Sequence, residues 1–145
     1  MINAALIAAG LYLVYGLTLY GTQRAMIFPG QNLVPALPAD AALPAGYSRH
    51  WLELEGGPVE TWFVRAPDAD DTPRATLIVA HGNYELMEQL APLMEPLREH
   101  INLLLVEYPG YGRSAGEPSQ ESIREAMLAA YDSLLGTPGV DPERI

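Results

Sequence analysis

The sequence contains no cysteine and no lysine among its 145 residues. Without cysteine the chain has no disulfide framework, no thiol nucleophile and no cysteine-bound zinc site. Positive charge is scarce as well, because eight arginines stand against 18 carboxylates and give a net charge of −10. The first 30 residues carry one charged side chain, that of Arg24, so the remainder has a net charge of −11. Such a surface repels phosphate backbones, and we expect no nucleic-acid partner.

Charge is also absent from residues 2–20, a run of 19 residues in which Asn3 is the only strongly polar side chain. About 20 apolar residues in a helix span the roughly 30 Å hydrocarbon core of a bilayer. We therefore expect residues 1–22 to form a transmembrane helix or signal anchor, which predicts a single-pass membrane protein. A cleaved signal peptide and a buried core helix are the alternatives, although the segment lacks a basic start and a clear cleavage site. Arg24 alone does not determine which side of the membrane carries the rest of the chain.

The rest of the chain divides into a connector and one α/β domain. Residues 23–48 hold four prolines and no regular hydrophobic period, which predicts an extended connector. The domain over residues 49–145 opens with residues 50–55 and 59–65, two strand-like segments around Gly56-Gly57, which predict an antiparallel hairpin. Residues 67–73 form an acidic loop without the glycine and distal glutamate of a calcium loop, so we predict a solvated turn and no metal site.

Two short apolar runs, residues 75–80 and 101–106, have the composition of strands that are covered on both faces. Four leucines recur at helical spacing between them: Leu86, Leu90, Leu93 and Leu97. Since Pro92 and Pro96 interrupt this stretch, it predicts a broken or late-starting helix.

A second helix is predicted from residue 119, where Ser119 and Ser122 form a start that falls short of a full capping box. Its predicted apolar face consists of Ile123, Met127, Ala130, Tyr131 and Leu134. Residues 140–145 then look like the entry to a further strand. This alternation of strands and helices is typical of a parallel sheet with right-handed crossovers, and the fold class is α/β.

Two motifs follow the two apolar runs. His81-Gly82-Asn83 comes directly after the first, and residues 107–116, with the sequence EYPGYGRSAG, come after the second. In this order and on these strands they resemble the α/β-hydrolase superfamily, in which one strand ends in H-G-x and the next in D/E-x-x-G-x-G-x-S-x-G. The closest resemblance is to the serine-aminopeptidase-like, membrane-anchored branch, and residues 24–30 are typical of its membrane-linked members. The resemblance covers residues 24–145 and implies the N-terminal half of an α/β-hydrolase sheet.

The first motif has a chemical meaning in that family. At the carboxyl end of a parallel strand, a tight turn that glycine permits can present backbone N–H groups to a ligand. The resemblance implies an oxyanion-hole loop at His81, Gly82, Asn83 and Tyr84. The N–H of Asn83 would face the oxyanion of an acyl-transfer intermediate, with the N–H of Tyr84 as the second choice. His81 resembles the structural histidine of this loop and not the general base.

The second motif contains a decoy, because Gly112, Ser114 and Gly116 match the G-x-S-x-G nucleophile elbow. An elbow holds its serine on a sharp turn between a strand and the helix that follows at once. Ser114 lies about six residues after the predicted strand and about five before the predicted helix. We therefore predict a structural loop formed by Gly110, Gly112, Ser114 and Gly116, with no catalytic role for the serine.

The final residues, 141–145, match the family's entry to the nucleophile strand. The resemblance implies that the serine, the acid and the histidine of the triad lie beyond Ile145, and that the chain as given is truncated and inactive. The completed protein would hydrolyse an ester, thioester or amide bond of a small-molecule or peptide acyl substrate, with no metal or organic cofactor. The alternatives are a non-enzymatic, membrane-tethered interaction module derived from a hydrolase half, and a short active hydrolase that uses Ser114.

Overall fold

A four-stranded mixed sheet organises the domain in the computed structural model, which describes residues 2–67 and 72–145. The strands are β1 (Tyr47–Leu54), β2 (Gly57–Val64), β3 (Thr76–Ala80) and β4 (Asn102–Val106). Their order in the sheet is β1-β2-β4-β3. The prediction of a solvated turn over residues 67–73 falls largely on Asp68, Asp70 and Asp71, which lie outside the described residues.

The strand pairing confirms the predicted hairpin and the predicted parallel pair. β1 and β2 are antiparallel, with Leu54 opposite Gly57 at the turn. β2 pairs antiparallel with β4, and β3 pairs parallel with β4. The fold is therefore the α/β sheet that the sequence predicts, an antiparallel hairpin followed by parallel strands whose crossover is the helix α2 (Met87–Arg98).

Two hydrophobic clusters cover the two faces of the sheet, because successive strand residues point to opposite sides. Leu104 and Val106 of β4 pack with Val59 and Phe63 of β2 under the helix α3 (Gln120–Leu134). Leu103 and Leu105 pack on the opposite face; their partners are Trp62, Val64, Met87 and Ala91. Burial on both faces explains the continuous apolar composition of β4.

The structure corrects the sequence prediction for α3 in two respects. Ser119 does form a reciprocal capping box, since its Oγ accepts from the N–H of Ser122 at 3.0 Å while the Oγ of Ser122 accepts from the N–H of Ser119 at 2.9 Å. The hydroxyl of Ser122 thus does what glutamate or glutamine usually does. The buried stripe runs through Ala126, Ala130 and Leu134, and Tyr131 is 40 % exposed instead of buried.

The prediction of a broken helix is wrong for α2. The helix runs unbroken through Pro92 and Pro96, both of which are exposed. Its inward face consists of Met87, Ala91 and Met94. Leu93 and Leu97 are 68 % and 43 % exposed, whereas Leu86, just before the helix, is 1 % exposed.

The first helix, α1 (Ile2–Ile27), extends five residues beyond the predicted boundary at residue 22. It is long and apolar enough to span a membrane, and none of its described residues is buried by the rest of the chain. A short 3₁₀ turn over Pro29–Asn32 follows, and residues 33–46 run without a regular element to β1.

One edge of β3 has a partner only at its start. The N–H of Arg74 donates to the carbonyl of Gly139 at 3.0 Å, and the N–H of Asp141 donates to the carbonyl of Arg74 at 2.9 Å. The N–H of Thr76 donates to the carbonyl of Arg144 at 2.9 Å. Residues 139–145 thus approach β3 in a parallel direction, and the edge from residue 77 to 80 has no strand partner in the described part of the chain.

Candidate active site

The loop of residues 81–84 begins where β3 ends, and residues 107–108 begin where β4 ends. Because the two strands are parallel, with Ala80 opposite Val106, both segments lie at the carboxyl edge of the sheet. The structure brings the two motifs together here: the N–H of Tyr108 donates to Nε2 of His81 at 3.0 Å. His81 is 4 % exposed, and its imidazole packs against the rings of Tyr108 and Tyr111.

The peptide unit between Gly82 and Asn83 is held through its carbonyl. The oxygen of Gly82 lies 2.8 Å from Nδ1 of His81 and accepts from the N–H of Glu85 at 3.3 Å. The carboxylate of Glu85 in turn accepts from the N–H of Gly82 at 2.9 Å. In a planar trans peptide the N–H points away from the carbonyl, so these contacts fix the direction of the Asn83 N–H.

The next peptide unit is held in the same manner. The carbonyl of Asn83 accepts from the N–H of Gly30 at 3.0 Å and from the hydroxyl of Tyr111 at 2.9 Å. Burial raises the pKa of Tyr111, which keeps its hydroxyl protonated as a donor. A side chain at position 30 would clash with Tyr111, since a Cβ on Gly30 would lie 2.5 Å from the Tyr111 ring. These contacts fix the direction of the Tyr84 N–H.

The two N–H groups themselves are unused. Within the described residues, neither Asn83 nor Tyr84 donates its backbone N–H to a protein acceptor. Both residues are exposed at the carboxyl edge of β3. Fixed, unpaired N–H groups in a turn are the arrangement that binds a developing negative charge on oxygen.

Glu107 lies beside His81 and accepts a hydrogen bond from the start of α2. Its Oε1 lies 2.7 Å from Nε2 of His81, and its Oε2 accepts from the N–H of Met87 at 3.3 Å. Only 2 % of Glu107 is exposed. The sequence offers one signal for this role, namely a carboxylate directly after a largely apolar strand.

The glycines of the second motif allow its loop to fold tightly against Glu107 and the hairpin. Gly110, Gly112 and Gly116 all have φ between 54° and 83°. A Cβ on Gly112 would lie 2.7 Å from Oε2 of Glu107. The N–H of Ala115 donates to the carbonyl of Pro58 at 2.8 Å, which fastens the loop to β2.

Ser114 lies inside this loop, eight residues after the end of β4 and six before the start of α3. Its side chain is buried, and its Oγ accepts from the N–H of Glu60 on β2 at 3.0 Å. No histidine is a hydrogen-bond partner of Ser114 in the described residues. The hydroxyl is thus occupied by the backbone of the sheet.

A buried ion cluster, which sequence reasoning missed, lies beside Ser114. The carboxylate of Glu60 is fully buried and contacts Arg49 at 2.7 Å and Arg113 at 3.1 Å. It also accepts from Nε1 of Trp62 at 2.8 Å. Arg113 donates further to the carbonyl of Leu37, which ties the connector to the domain.

The described residues contain one hydrogen-bonded serine–histidine pair outside the loop. Oγ of Ser48 lies 2.9 Å from Nε2 of His50 on the exposed side of β1. No carboxylate contacts His50 among the described residues, and none of their side chains forms a metal-binding cluster. A serine, a histidine and a carboxylate do not meet in the part of the chain that the structure describes.

The regions similar to curated proteins include most of this chain but less than half of each of those proteins. The chain is 32 % identical to the uncharacterized protein YfhR of Salmonella typhimurium over 123 residues, which are 84 % of this chain and 41 % of that protein. It is 30 % identical to the uncharacterized protein Rv2307c of Mycobacterium tuberculosis over 145 residues, which are 97 % of this chain and 48 % of that protein. The chain thus spans about half the length of these curated relatives. No family model matches it.

Solved structures determine the fold. An alpha-beta hydrolase from Vibrio vulnificus superposes with a TM-score of 0.65 at 17 % identity, over 87 % of this chain and 45 % of that one. The chain has the α/β-hydrolase fold. A serine hydrolase without lid from Xanthomonas campestris superposes with a TM-score of 0.52 at 18 % identity, over 70 % of this chain and 50 % of that one. The loop of residues 81–84 and the glycine loop both follow the carboxyl ends of parallel strands. In open α/β sheets, ligands bind at this carboxyl edge.

Proposed function

We propose that this chain belongs to a membrane-anchored serine hydrolase and supplies two of its parts, the anchor and the oxyanion loop. The reaction is hydrolysis of an ester, thioester or amide through a serine nucleophile. The nucleophile, the acid and the histidine are contributed by residues beyond Ile145, so the chain as given is inactive. α1 is the anchor.

The proposal rests on one observation, the pair of backbone N–H groups of Asn83 and Tyr84 that have no protein acceptor in the described residues. Each belongs to a peptide whose carbonyl is held by two contacts, so the donors keep their direction before a substrate arrives. Donors that are oriented in advance stabilise an oxyanion without reorganising during the reaction. A loop that served only as a turn would not require this orientation.

The approach of residues 139–145 to β3 supports a further parallel strand alongside β3, on the side away from β4. The hydrogen bonds from Asp141 to Arg74 and from Thr76 to Arg144 direct the chain along β3. A strand that continued past Ile145 in this direction would have its carboxyl end next to that of β3, where the loop of residues 81–84 begins. A serine on a turn after that strand would then face the two donors.

Two experiments test the proposal. Sequencing the gene downstream of codon 145 is expected to reveal an apolar run followed by G-x-S-x-G within about ten codons. The full-length product is expected to react with a serine-directed fluorophosphonate. A stop codon after Ile145 together with a stably folded product would overturn the proposal in favour of an interaction module. Labelling of the 145-residue chain that disappears in Ser114→Ala would overturn it in favour of a short hydrolase.

Two variants of the full-length product test the oxyanion donor. Asn83→Ala keeps the backbone N–H and Asn83→Pro removes it, while both lose the same side chain. We expect Asn83→Pro to hydrolyse an ester about 10²–10³ times more slowly than Asn83→Ala. Equal rates would assign the donor to Tyr84 or to another part of the protein.

A further inference from the structure

The end of α1 and the start of the turn that follows it, residues 24–30, are hydrogen-bonded directly to the candidate active-site edge. The side chain of Asn83 donates to the carbonyl of Ile27 at 2.8 Å, and the carbonyl of Asn83 accepts from the N–H of Gly30 at 3.0 Å. Arg24 donates to the carbonyl of Pro118 at 3.0 Å and pairs with Glu117 at 3.0 Å. The helix end and the turn after it thus contact the loop of residues 81–84 and residues 117–118, which follow the glycine loop.

These contacts set the distance of the edge from a bilayer. The uncharged segment ends before Arg24, whose guanidinium lies at the headgroup level if α1 spans the membrane. Ile27 follows three residues later, which is about 4.5 Å along a helix axis. The headgroup layer on each side of a bilayer is about 5–8 Å thick. Asn83 therefore lies within or just outside that layer.

Three large side chains that are wholly or largely apolar are exposed around this edge. Met26, Ile27 and Tyr84 are 65 %, 53 % and 64 % exposed. Tyrosine is enriched at membrane interfaces because its ring is apolar and its hydroxyl is polar. Glu85 and Glu117 are the nearby exposed carboxylates, which favours neutral or zwitterionic headgroups over anionic ones.

We infer that the loop of residues 81–84 opens onto the bilayer surface and takes acyl substrates from the lipid phase. This inference rests on the proposed function and adds the substrate class, namely esters, thioesters or amides whose acyl chains are embedded in a bilayer. Five strand residues separate this edge from the opposite one by about 16 Å, so we expect the opposite edge to lie farther from the lipid.

The absence of cysteine makes a site-specific test direct. Single cysteines replace Tyr84 at the loop, Glu99 at the opposite edge and Leu11 inside α1, in separate variants of the full 145-residue chain. Each variant carries an NBD fluorophore in phosphatidylcholine vesicles that contain a lipid with a quencher near the headgroup or at mid-chain. We expect shallow quenching at Tyr84→Cys at least three times that at Glu99→Cys, and mid-chain quenching at Leu11→Cys.

The outcomes separate this inference from the proposed function. Quenching at Leu11→Cys with equal shallow quenching at the other two positions would overturn the inference and leave the anchor in place. Absence of quenching at Leu11→Cys would overturn both the anchor and the inference. In the full-length product, a long-chain fluorophosphonate held in vesicles is expected to label faster than a short-chain soluble one; equal rates would overturn the substrate class.

Discussion

Gly112 shows how strongly a single residue of the glycine loop is constrained. Its φ is +54°, and a Cβ would lie 2.7 Å from Oε2 of Glu107. We predict that Gly112→Ala lowers the free energy of unfolding by about 1–3 kcal/mol, because the left-handed backbone and the contact with Glu107 both oppose a side chain. The measurement is pulse proteolysis in urea with the chain held in detergent micelles.

Gly136→Ala is the matched control for this substitution. No heavy atom lies within 4 Å of the position of its Cβ, and its φ is not in the left-handed range. We expect a change of less than about 0.5 kcal/mol. Equal destabilisation by the two substitutions would mean that the close approach of Gly112 to Glu107 does not constrain the fold.

The hydrogen bond from Tyr47 to Glu95 makes stability depend on pH at both ends of the scale. Burial is the largest cause that raises the pKa of Tyr47 to about 12, and the bond to Glu95 adds to it. The same bond lowers the pKa of Glu95. The hydrogen bond therefore makes its full contribution to the free energy of unfolding between pH 4.5 and 10.0, the ordinary pKa values of Glu95 and Tyr47. It is lost as pH falls through the lowered pKa of Glu95 or rises from 10 towards 12.

We predict that Tyr47→Phe lowers the free energy of unfolding at pH 7 by about 0.5 kcal/mol, and that this difference from the wild type shrinks above pH 10 and below pH 4. Urea unfolding across the pH range measures it. Tyr131→Phe, which removes a hydroxyl without a hydrogen bond in the described residues, is expected to change nothing at pH 7. A Tyr47→Phe effect that stays constant with pH would contradict the assignment of this bond.

Residue-scale features differ in how far the sequence predicts them. The loop at residues 81–84 is predictable because its motif is continuous and follows a strand. The cluster around Glu60 is not, because Arg49 and Arg113 lie 11 and 53 residues away along the chain. Hairpin register and the path of the glycine loop bring these guanidinium groups together, and local sequence contains neither.

At the scale of elements, the strands follow from composition but α2 does not. Pro92 and Pro96 remove two helical hydrogen bonds, which is why the sequence predicts a broken or late-starting helix. Both prolines are on the exposed side, where water can hydrate the carbonyls that lose their partners. Met87, Ala91 and Met94 fill the inward stripe of α2, so leucine at helical spacing is not by itself a sign of burial.

The capping box of α3 provides a test at this scale. Ser119→Ala removes the acceptor for the N–H of Ser122. We predict a loss of about 1 kcal/mol in the free energy of unfolding, measured by urea unfolding in micelles. Ser133→Ala, whose hydroxyl donates to the carbonyl of Ala130 within the same helix, is the control and is expected to have a smaller effect. The reverse order would contradict the capping role.

At the scale of the whole molecule, β3 and α2 leave surfaces that an α/β-hydrolase sheet normally covers. The edge of β3 from residue 77 to 80 lacks a strand partner in the described part of the chain, and Leu93 and Leu97 of α2 are exposed. Open strand edges pair with other chains unless charge or covering elements prevent it. We therefore expect the 145-residue chain to associate with itself through β3.

Leu77→Lys tests this expectation, because a charge on an edge strand opposes pairing with a second chain. We predict that the wild-type chain in detergent micelles sediments as dimers or larger species, and that Leu77→Lys shifts it to monomers. Leu128→Lys is the control, since Leu128 is 51 % exposed and lies on α3, outside β3. The control is expected to remain associated, because the same charge there leaves the backbone of β3 free to pair. A monomeric wild-type chain that unfolds cooperatively would show that the sheet needs no further strand at this edge.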